Sequence, residues 1–469
     1  MNMHHDMTKG PIGRELVLFS LPLMLAHVLQ LLYGVADMLV VSRFVGETGV
    51  AAVSNGNMVA FFVASLGMGF GSGGAVETGR RTGGESVRAR DEAVDTLLCF
   101  SLLFSLVVGA VSFFSCGRAL DWLGVPCEAM AEAFDYTRII CAGTVFVFGQ
   151  HTVCAVLRAL GSGRGPLLIT AFSAVLNIVL DLLFVGLWNL GTAGAAWATV
   201  LAQGTACVTA LFFLRKARKE EHGLFFAVNL RCGMTVLRTA LPASAQMVAV
   251  NMAFLIMTAM LNRYGVAVAA ASGIGLKINT LAGMPCWGIG QAMTAMVAQN
   301  GGAGERARVK AVFWKGLGLN MAVTLCIVAV VQLFAVPVME LFAPAGSEVA
   351  KVGVEYLRLC CSVNCIFYVI MYSFDSFALG VGRADIAFCN ALLEAFAARL
   401  FFAWLGADVL GLGYAGIYAG QAVSPLFPAL FGLFFFCRGS WRIAKETSGA
   451  DDEGRERKSH REPGQEAER

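Results

Sequence analysis

Residues 16–45 read LVLFSLPLMLAHVLQLLYGVADMLVVSRFV, and this stretch decides the fold. It exceeds the roughly 20 apolar residues that a helix needs to cross a bilayer. Gln30, Tyr33 and Asp37 nevertheless lie in its middle, spaced so that all three share one helical face. An ionisable group at membrane depth costs about 2.5–3.5 kcal/mol, so this face is expected to meet a cavity or a polar partner. Asp37 either bonds a neighbouring helix or belongs to a cation-binding or proton-binding site.

The composition extends this interpretation to the whole chain. Hydrophobic residues make up 57% of the sequence, charged residues make up 14%, and the mean hydropathy is +0.69. Such values are typical of an all-α polytopic membrane protein. The sequence carries no zinc-protease, P-loop or nucleophile-elbow motif, and G-x-G occurs only in Gly-rich spans such as Gly67–Gly74, where close helix packing explains it. We therefore expect neither catalysis nor ATP-driven pumping.

Apolar runs separated by charged residues or Gly/Pro breaks predict twelve membrane-spanning helices. Their expected limits are 15–42, 49–79, 92–115, 129–157, 166–187, 193–214, 240–262, 267–299, 311–336, 351–379, 385–405 and 414–437. The domains that follow are an N-terminal tail (1–14), an N-lobe (15–214), a linker (215–239), a C-lobe (240–437) and a C-terminal tail (438–469). The C-terminal tail is charged and has few apolar residues, so we expect it to be disordered.

Basic residues concentrate in alternate loops. These loops follow the second, fourth, sixth, eighth and tenth spans and contain Arg80, Arg81, Arg88, Arg90, Arg158, Arg164, Arg215, Lys216, Arg218, Lys219, Arg231, Arg238, Arg306, Arg308, Lys310 and Arg383. The positive-inside rule makes such loops cytoplasmic. Because the number of spans is even, we expect both termini in the cytoplasm and the chain in the plasma (inner) membrane.

The two halves of the sequence repeat one another. The matching features are Leu21-Pro22 with Leu241-Pro242, the breaks at Gly46 and Gly265, ALGSGR (159–164) with ALGVGR (378–383), and Gly191…Gly194 with Gly413…Gly416. Two halves of six spans each predict parallel, pseudo-symmetric repeats about an axis along the membrane normal. Transporters that rock two helical bundles around a central site have this architecture.

Several stretches resemble the multidrug and toxic compound extrusion (MATE) family. They are LP…Q..YGVAD…V.RFVG in the first span, LRALGSGRGP (157–166), LNIVLD (176–181), GTAGAAWAT (191–199) and MVAQNGGAGERAR (296–308). The resemblance implies a V-shaped fold of two six-helix lobes. It also implies a multidrug exporter in which inward flow of H⁺ or Na⁺ drives the substrate out.

The resemblance is greatest to the DinF-like branch, whose coupling site lies in the N-lobe. Carried over residue by residue, that site falls on Asp37, Asn177, Asp181 and Thr199, and the lining of its cavity falls on Gln30, Tyr33 and Tyr136. The NorM-like branch places a Glu in the seventh span, but residues 243–261 contain no acid.

Asn177 and Asp181 are four residues apart and share a helical face. Carboxylate, amide and hydroxyl oxygens suit either a hard cation or a shared proton. The alternative role of Asn177, Asp181 and Thr199 is ordinary hydrogen bonding between helices.

A second polar stripe lies in the C-terminal half. It comprises Asn364, Tyr368, Tyr372 and Asp375 in the tenth span and Asn390, Glu394 and Arg399 in the eleventh. This stripe is either a second ion site, or an anionic wall for a cationic substrate. Alternatively, Asp375, Glu394 and Arg399 form a cluster that neutralises its own charge.

The expected partners are cationic amphiphilic small molecules and the lipid bilayer, because the polar stripes in the spans are acidic and neutral. A lipid-linked oligosaccharide flippase of the same wider superfamily is the alternative. We expect a monomer, no nucleic acid, no bound metal, and no cofactor beyond H⁺ or Na⁺ as the coupling ion.

Overall fold

A computed structural model describes residues 6–84, 86–218 and 228–439, and this described part is built of helices joined by short turns. Its N-half comprises α1 (Ile12–Phe44), α2 (Glu47–Gly84), α3 (Val87–Trp122), α4 (Cys127–Ala142), α5 (Thr144–Ala159), α6 (Arg164–Asp181), a π-helix (Leu182–Leu187) and α7 (Gly191–Arg218). The predicted C-terminal tail beyond 439, and residues 219–227 of the predicted linker, lie outside the described residues. Helices α7 and α8 continue into the two ends of that linker.

The C-half follows the same order. It comprises α8 (Leu230–Asn262), α9 (Val266–Gly302), α10 (Arg306–Leu333), α11 (Ala335–Glu340), α12 (Glu348–Cys360), α13 (Val363–Gly380), α14 (Ala384–Leu392), a π-helix (Leu393–Leu400), α15 (Phe401–Trp404), a π-helix (Leu405–Val409), α16 (Tyr414–Val423) and α17 (Leu426–Arg438). Within the described ranges, eleven helical stretches are long and apolar enough to span a membrane, and the bent α4–α5 pair supplies a twelfth. The predicted count of twelve is therefore confirmed.

The fourth and tenth spans are broken, although the sequence predicts each as one helix. Helices α4 and α5 meet at 49° around Gly143, where an added Cβ would lie 2.7 Å from a methyl group of Val200. The Thr144 hydroxyl donates to the freed carbonyl of Cys141 at 2.7 Å. At the corresponding break between α12 and α13, Gln332 donates to the carbonyls of Leu357 and Cys361. Lipid tails offer no hydrogen-bond donors to the carbonyl groups that a broken helix leaves unpaired. Side-chain donors bond these carbonyl groups instead, so both breaks are tolerated at membrane depth.

Matched turns confirm the repeat. Gly46 and Gly265, which follow the first and seventh spans, have φ of 91° and 98°. Gly161 and Gly382, in the two ALGxGR runs, have φ of 86° and 83°. A positive φ is costly for residues with a Cβ, so glycine at these sites gives both halves the same turns.

The two halves pack together at the end of the helices that carries the basic loops, which we call the basic end. Added Cβ atoms at Gly69 and Gly73 of α2 would lie 2.5 Å or less from carbonyl oxygens of α8. The Gln299 side chain of α9 donates to the carbonyl of Ala159 in α5 at 2.7 Å. Small residues thus allow backbone-to-backbone contact between the halves, as is typical of membrane helices.

Candidate functional site

Helices α1 and α6 bring two carboxyl groups together inside the N-half. The side chains of Asp37 and Asp181 lie within hydrogen-bonding reach of one another. Asp37 is 6% exposed and Asp181 is fully buried. Among the described residues no donor bonds Oδ1 of Asp37 or either carboxyl oxygen of Asp181. Buried acceptors normally have partners, so this pair has a free capacity for a proton or a cation.

Asn177 and Thr199 form the next polar layer, one helical turn before Asp181 on α6. The Asn177 amide donates to the Thr199 hydroxyl of α7 at 3.5 Å. The Asn177 Oδ1 atom is buried and lacks a donor within the described part of the chain. One turn corresponds to about 6 Å along the axis, so these groups extend the oxygen-rich surface that begins at the carboxyl pair.

Three further predicted residues surround this pair. Tyr33 and Tyr136 both lie within electrostatic range of Asp37 and Asp181, and the Gln30 side chain bonds Tyr33. Tyr136 is 1% exposed and donates to the Asn57 side chain at 2.8 Å. The structure therefore gathers both tyrosines around the carboxyl groups.

A chamber lies between the two halves, and neither Asp37 nor Asp181 is among the residues that line it. We call it the central chamber; it consists of two adjoining cavities of about 90 Å³ and 70 Å³ that share Met68, Ser72, Arg158 and Gln291 as lining residues. Gln30 and Tyr33 line the smaller cavity. Tyr33 thus connects the chamber to Asp37 and Asp181. The cavities have room for water molecules but are smaller than the roughly 300–1,000 Å³ of drug-sized sites. Binding of a larger molecule therefore requires the halves to move apart.

Three basic side chains in the chamber were missed by the sequence analysis. His27 of α1 and His151 and Arg158 of α5 line the smaller cavity. The sequence pattern predicts Arg158 in a loop, but it lies in the last turn of α5. The spacing carried a signal, because His27 extends the stripe of Gln30 and Tyr33, and residues 151 and 158 are two helical turns apart.

The C-half stripe divides into two groups. Arg399 and Glu394 form a buried ion pair, and the Ser424 hydroxyl donates to the same carboxyl oxygen of Glu394. Asp375 takes no part in this ion pair. It accepts hydrogen bonds from the side chains of Asn390 at 2.6 Å and Gln246 at 3.5 Å. Asp375 therefore lies outside the ion pair, whereas one of the two alternatives from the sequence grouped all three residues.

Asp375 and Tyr372 line the larger cavity, so the chamber has an acidic wall in the C-half. The rings of Tyr368 and Tyr372 stack with centroids 5.7 Å apart, and the Trp287 indole donates to the Tyr368 hydroxyl. Asn364 lies apart from the chamber wall and donates to the carbonyl of Gln421 at 2.6 Å. Of the stripe, Tyr372 and Asp375 thus face the chamber.

Known proteins are similar to this chain in sequence and in architecture. The sequence model of the MatE family matches residues 22–183 and 242–405. The probable multidrug resistance protein YpnP of Bacillus subtilis is 27% identical over 450 residues, which cover 94% of this chain and 98% of that protein. A second Bacillus subtilis relative, the probable multidrug resistance protein YoeA, is 28% identical over 347 residues, which cover 71% of this chain and 74% of YoeA.

A solved structure has the same architecture. The crystal structure of MATE in the straight conformation matches with a TM-score of 0.85 at 22% identity, over 94% of this chain and 99% of that one. The predicted V-shaped helical fold is confirmed.

Proposed function

Because this chain belongs to the MatE family of membrane transporters, we propose that it is a secondary active multidrug exporter that exchanges its substrate for H⁺ or Na⁺. The coupling ion binds at Asp37 and Asp181, with Asn177 and Thr199 as the adjoining polar layer. The names of the relatives as multidrug resistance proteins support the substrate class.

The observation that carries this proposal is the buried, unsatisfied carboxyl pair. Two like charges 4 Å apart repel by about 4 kcal/mol at an effective dielectric constant near 20. A proton shared by Asp37 and Asp181, or a sodium ion between them, removes this repulsion. Release of that ion restores the repulsion and changes the packing between α1 and α6. The two states of the site therefore differ in energy, as coupling requires.

Helix α1 supplies a route from the ion site to the interface between the halves. Asp37 lies in its second part, against α6. Leu16 and Leu23, in its first part, belong to one apolar cluster with Ile289 and Met293 of α9 in the C-half. One helix is thus held by both halves, so a shift at Asp37 alters the contact between them. Substrate and ion that prefer different arrangements are then coupled through this equilibrium.

We further propose that the basic end faces the cytoplasm, with both termini there, in the plasma membrane. The alternation of basic loops supports this orientation. A single chain supplies both walls of the chamber, so the exporter acts as a monomer. The acidic wall at Asp375 attracts the positive group of an amphiphilic organic cation.

Transport by purified protein in lipid vesicles tests the coupling site. Dye transport is measured first under a pH gradient and then under a sodium gradient, which identifies the ion. We expect Asp37→Asn and Asp181→Asn to reduce gradient-driven transport to the level of empty vesicles. The matched control is Asp121→Asn, because Asp121 is an exposed carboxylate of the same half. Undiminished gradient-driven transport in either test variant would remove the carboxyl pair from the mechanism.

A further inference from the structure

Arg158 is a charged side chain in the central chamber that lacks a charged partner. It lines both cavities of the chamber. Its electrostatic neighbours include Cys154, Tyr372, His27 and His151, and no carboxylate of the described residues lies within ion-pair distance. A cation removed from bulk water is expensive unless an anion or several acceptors compensate it.

Two buried arginines, Arg218 and Arg399, show how this chain compensates such a charge. Arg218 is paired with Asp95 at 2.7 Å, and Arg399 is paired with Glu394. Both pairs lie within the protein, whereas Arg158 faces the chamber. Arg158 is thus placed to bind a group that enters the chamber.

The two histidines make the same wall receptive to an anion. His27 lies on α1, packs edge-on against Trp287 with ring centroids 6.1 Å apart, and lies beside Gln291. His151 lies two turns before Arg158 on α5, and both histidines interact electrostatically with the guanidinium. Imidazole and guanidinium N–H groups are donors for carboxylate and phosphate oxygens, and arginine can bind them with two parallel hydrogen bonds.

The opposite wall carries a carboxyl group. Asp375 is bonded to the neutral side chains of Asn390 and Gln246, so it too has no cationic partner among the residues described. Tyr372 lies within electrostatic range of both Asp375 and Arg158. The chamber therefore presents a guanidinium group on one wall and a carboxyl group on the other, with a stacked tyrosine pair beside the carboxyl group.

The internal repeat does not explain this polarity. By the alignment of the two halves, His27, His151 and Arg158 correspond to Met247, Ile370 and Phe377. Asp375 corresponds to Val156. Each of these polar side chains is present in one half and replaced by an apolar residue in the other, so the two walls are a feature of the chamber and not of the shared scaffold.

We propose that Arg158, with His27 and His151, is a subsite for the carboxylate or phosphate group of the substrate, and that the preferred cargo is a zwitterionic amphiphile whose positive group faces Asp375. This inference rests on the proposed export function, since it names the cargo of the same chamber. A charge-assisted hydrogen bond to a buried partner changes affinity by about tenfold to a hundredfold.

A matched pair of dyes tests the subsite without any ion gradient. One dye is a rhodamine with a free carboxylate, and the other is the ethyl ester of the same rhodamine, which keeps the positive charge and the ring system. Binding to the purified, detergent-solubilised full chain is followed by fluorescence polarisation. We expect the wild-type protein to bind the carboxylate dye at least about tenfold more tightly than its ester.

The variants separate an anion subsite from a structural role. Arg158→Gln should remove the preference for the carboxylate while the ester still binds, and Arg158→Lys should keep part of it. Arg164→Gln is the matched control, because Arg164 is an exposed arginine of the same half. Asp375→Asn should weaken both dyes equally, since both carry the positive group.

Two outcomes would overturn the inference. One is equal binding of the two dyes by the wild-type protein. The other is an equal loss of both dyes in Arg158→Gln, which would show that Arg158 only shapes the chamber. Failure of gradient-driven transport with an intact preference for the carboxylate would instead overturn the export function and leave the subsite standing.

Discussion

Asp37 lies 15 residues after Pro22 in the N-half, and Met257 lies 15 residues after Pro242 in the C-half. Asp181 and Leu400 likewise lie 17 residues after the arginines that end the two ALGxGR runs. The carboxyl pair of one half is thus replaced by Met257 and Leu400 in the other, where both belong to an apolar cluster. The C-half forms the same helical scaffold without these two acids. Folding therefore does not require them, and their burial in the N-half points to a functional role.

The largest effect is expected when the two acids of the N-half are replaced by the residues at the corresponding positions of the C-half. We expect the double variant Asp37→Met, Asp181→Leu to lose gradient-driven transport entirely. Its free energy of unfolding should nevertheless be unchanged or higher by about 1–4 kcal/mol, because well-packed apolar residues often stabilise a protein more than buried charged groups of similar volume do. Thermal unfolding in detergent and vesicle transport are measured on the same preparation. A less stable double variant would mean that the carboxyl pair holds the N-half together.

The reverse exchange probes the C-half. Met257 is 3% exposed in the apolar cluster, without the second carboxyl group or the polar layer of the N-half. Met257→Asp should therefore destabilise the protein by about 2.5–3.5 kcal/mol, seen as a lower thermal transition. Met257→Leu, which preserves the volume, should cost less than about 1.5 kcal/mol. If Met257→Asp were as stable as Met257→Leu, the C-half would already contain a polar environment at this position.

Much of the fold could be predicted because the bilayer imposes strong rules. Continuous apolar runs of sufficient length form spanning helices, and glycines at matching positions in the two halves identify the turns of the repeat. The breaks at Gly143 and at residues 361–362 could not be predicted from the same rules. The break at residues 361–362 depends on the donor Gln332 of α10, and the break at Gly143 on the close approach of Val200 from α7. The sequence of a single apolar run does not show which side chains of other helices will pack against it.

The candidate site was predictable where one helix carried the pattern. The shared face of Asn177 and Asp181 follows from their spacing, as does the stripe that ends at Asp37, and the family resemblance joined the two helices into one site. The partners of Asp375 depend on how α8, α13 and α14 pack, so the sequence could not separate it from Glu394 and Arg399. Arg158 was misassigned because a basic residue at the end of a span fits the loop pattern as well as it fits a chamber wall.

The smallest expected effect concerns a tyrosine that both halves retain. Tyr136 and Tyr356 are equally buried and each packs against a glycine, Gly56 and Gly275 respectively. Their hydroxyl groups differ, because Tyr136 donates to Asn57 at 2.8 Å beside the carboxyl pair, whereas Tyr356 accepts from Gln421 at 3.3 Å. Phenylalanine at either position removes one hydrogen bond, so each variant should lose about 0.5–1.5 kcal/mol of stability.

The two variants should differ in function. Tyr136→Phe alters the polar surroundings of Asp37 and Asp181, so we expect a few-fold decrease in the rate of gradient-driven transport. Tyr356→Phe has no carboxyl pair beside it and should transport at the wild-type rate. Each variant is the control for the other, because the chemical change, the burial and the expected loss of stability are matched. Equal transport rates would show that the hydroxyl group of Tyr136, like that of Tyr356, contributes to stability and not to transport. The coupling chemistry would then be confined to Asp37 and Asp181.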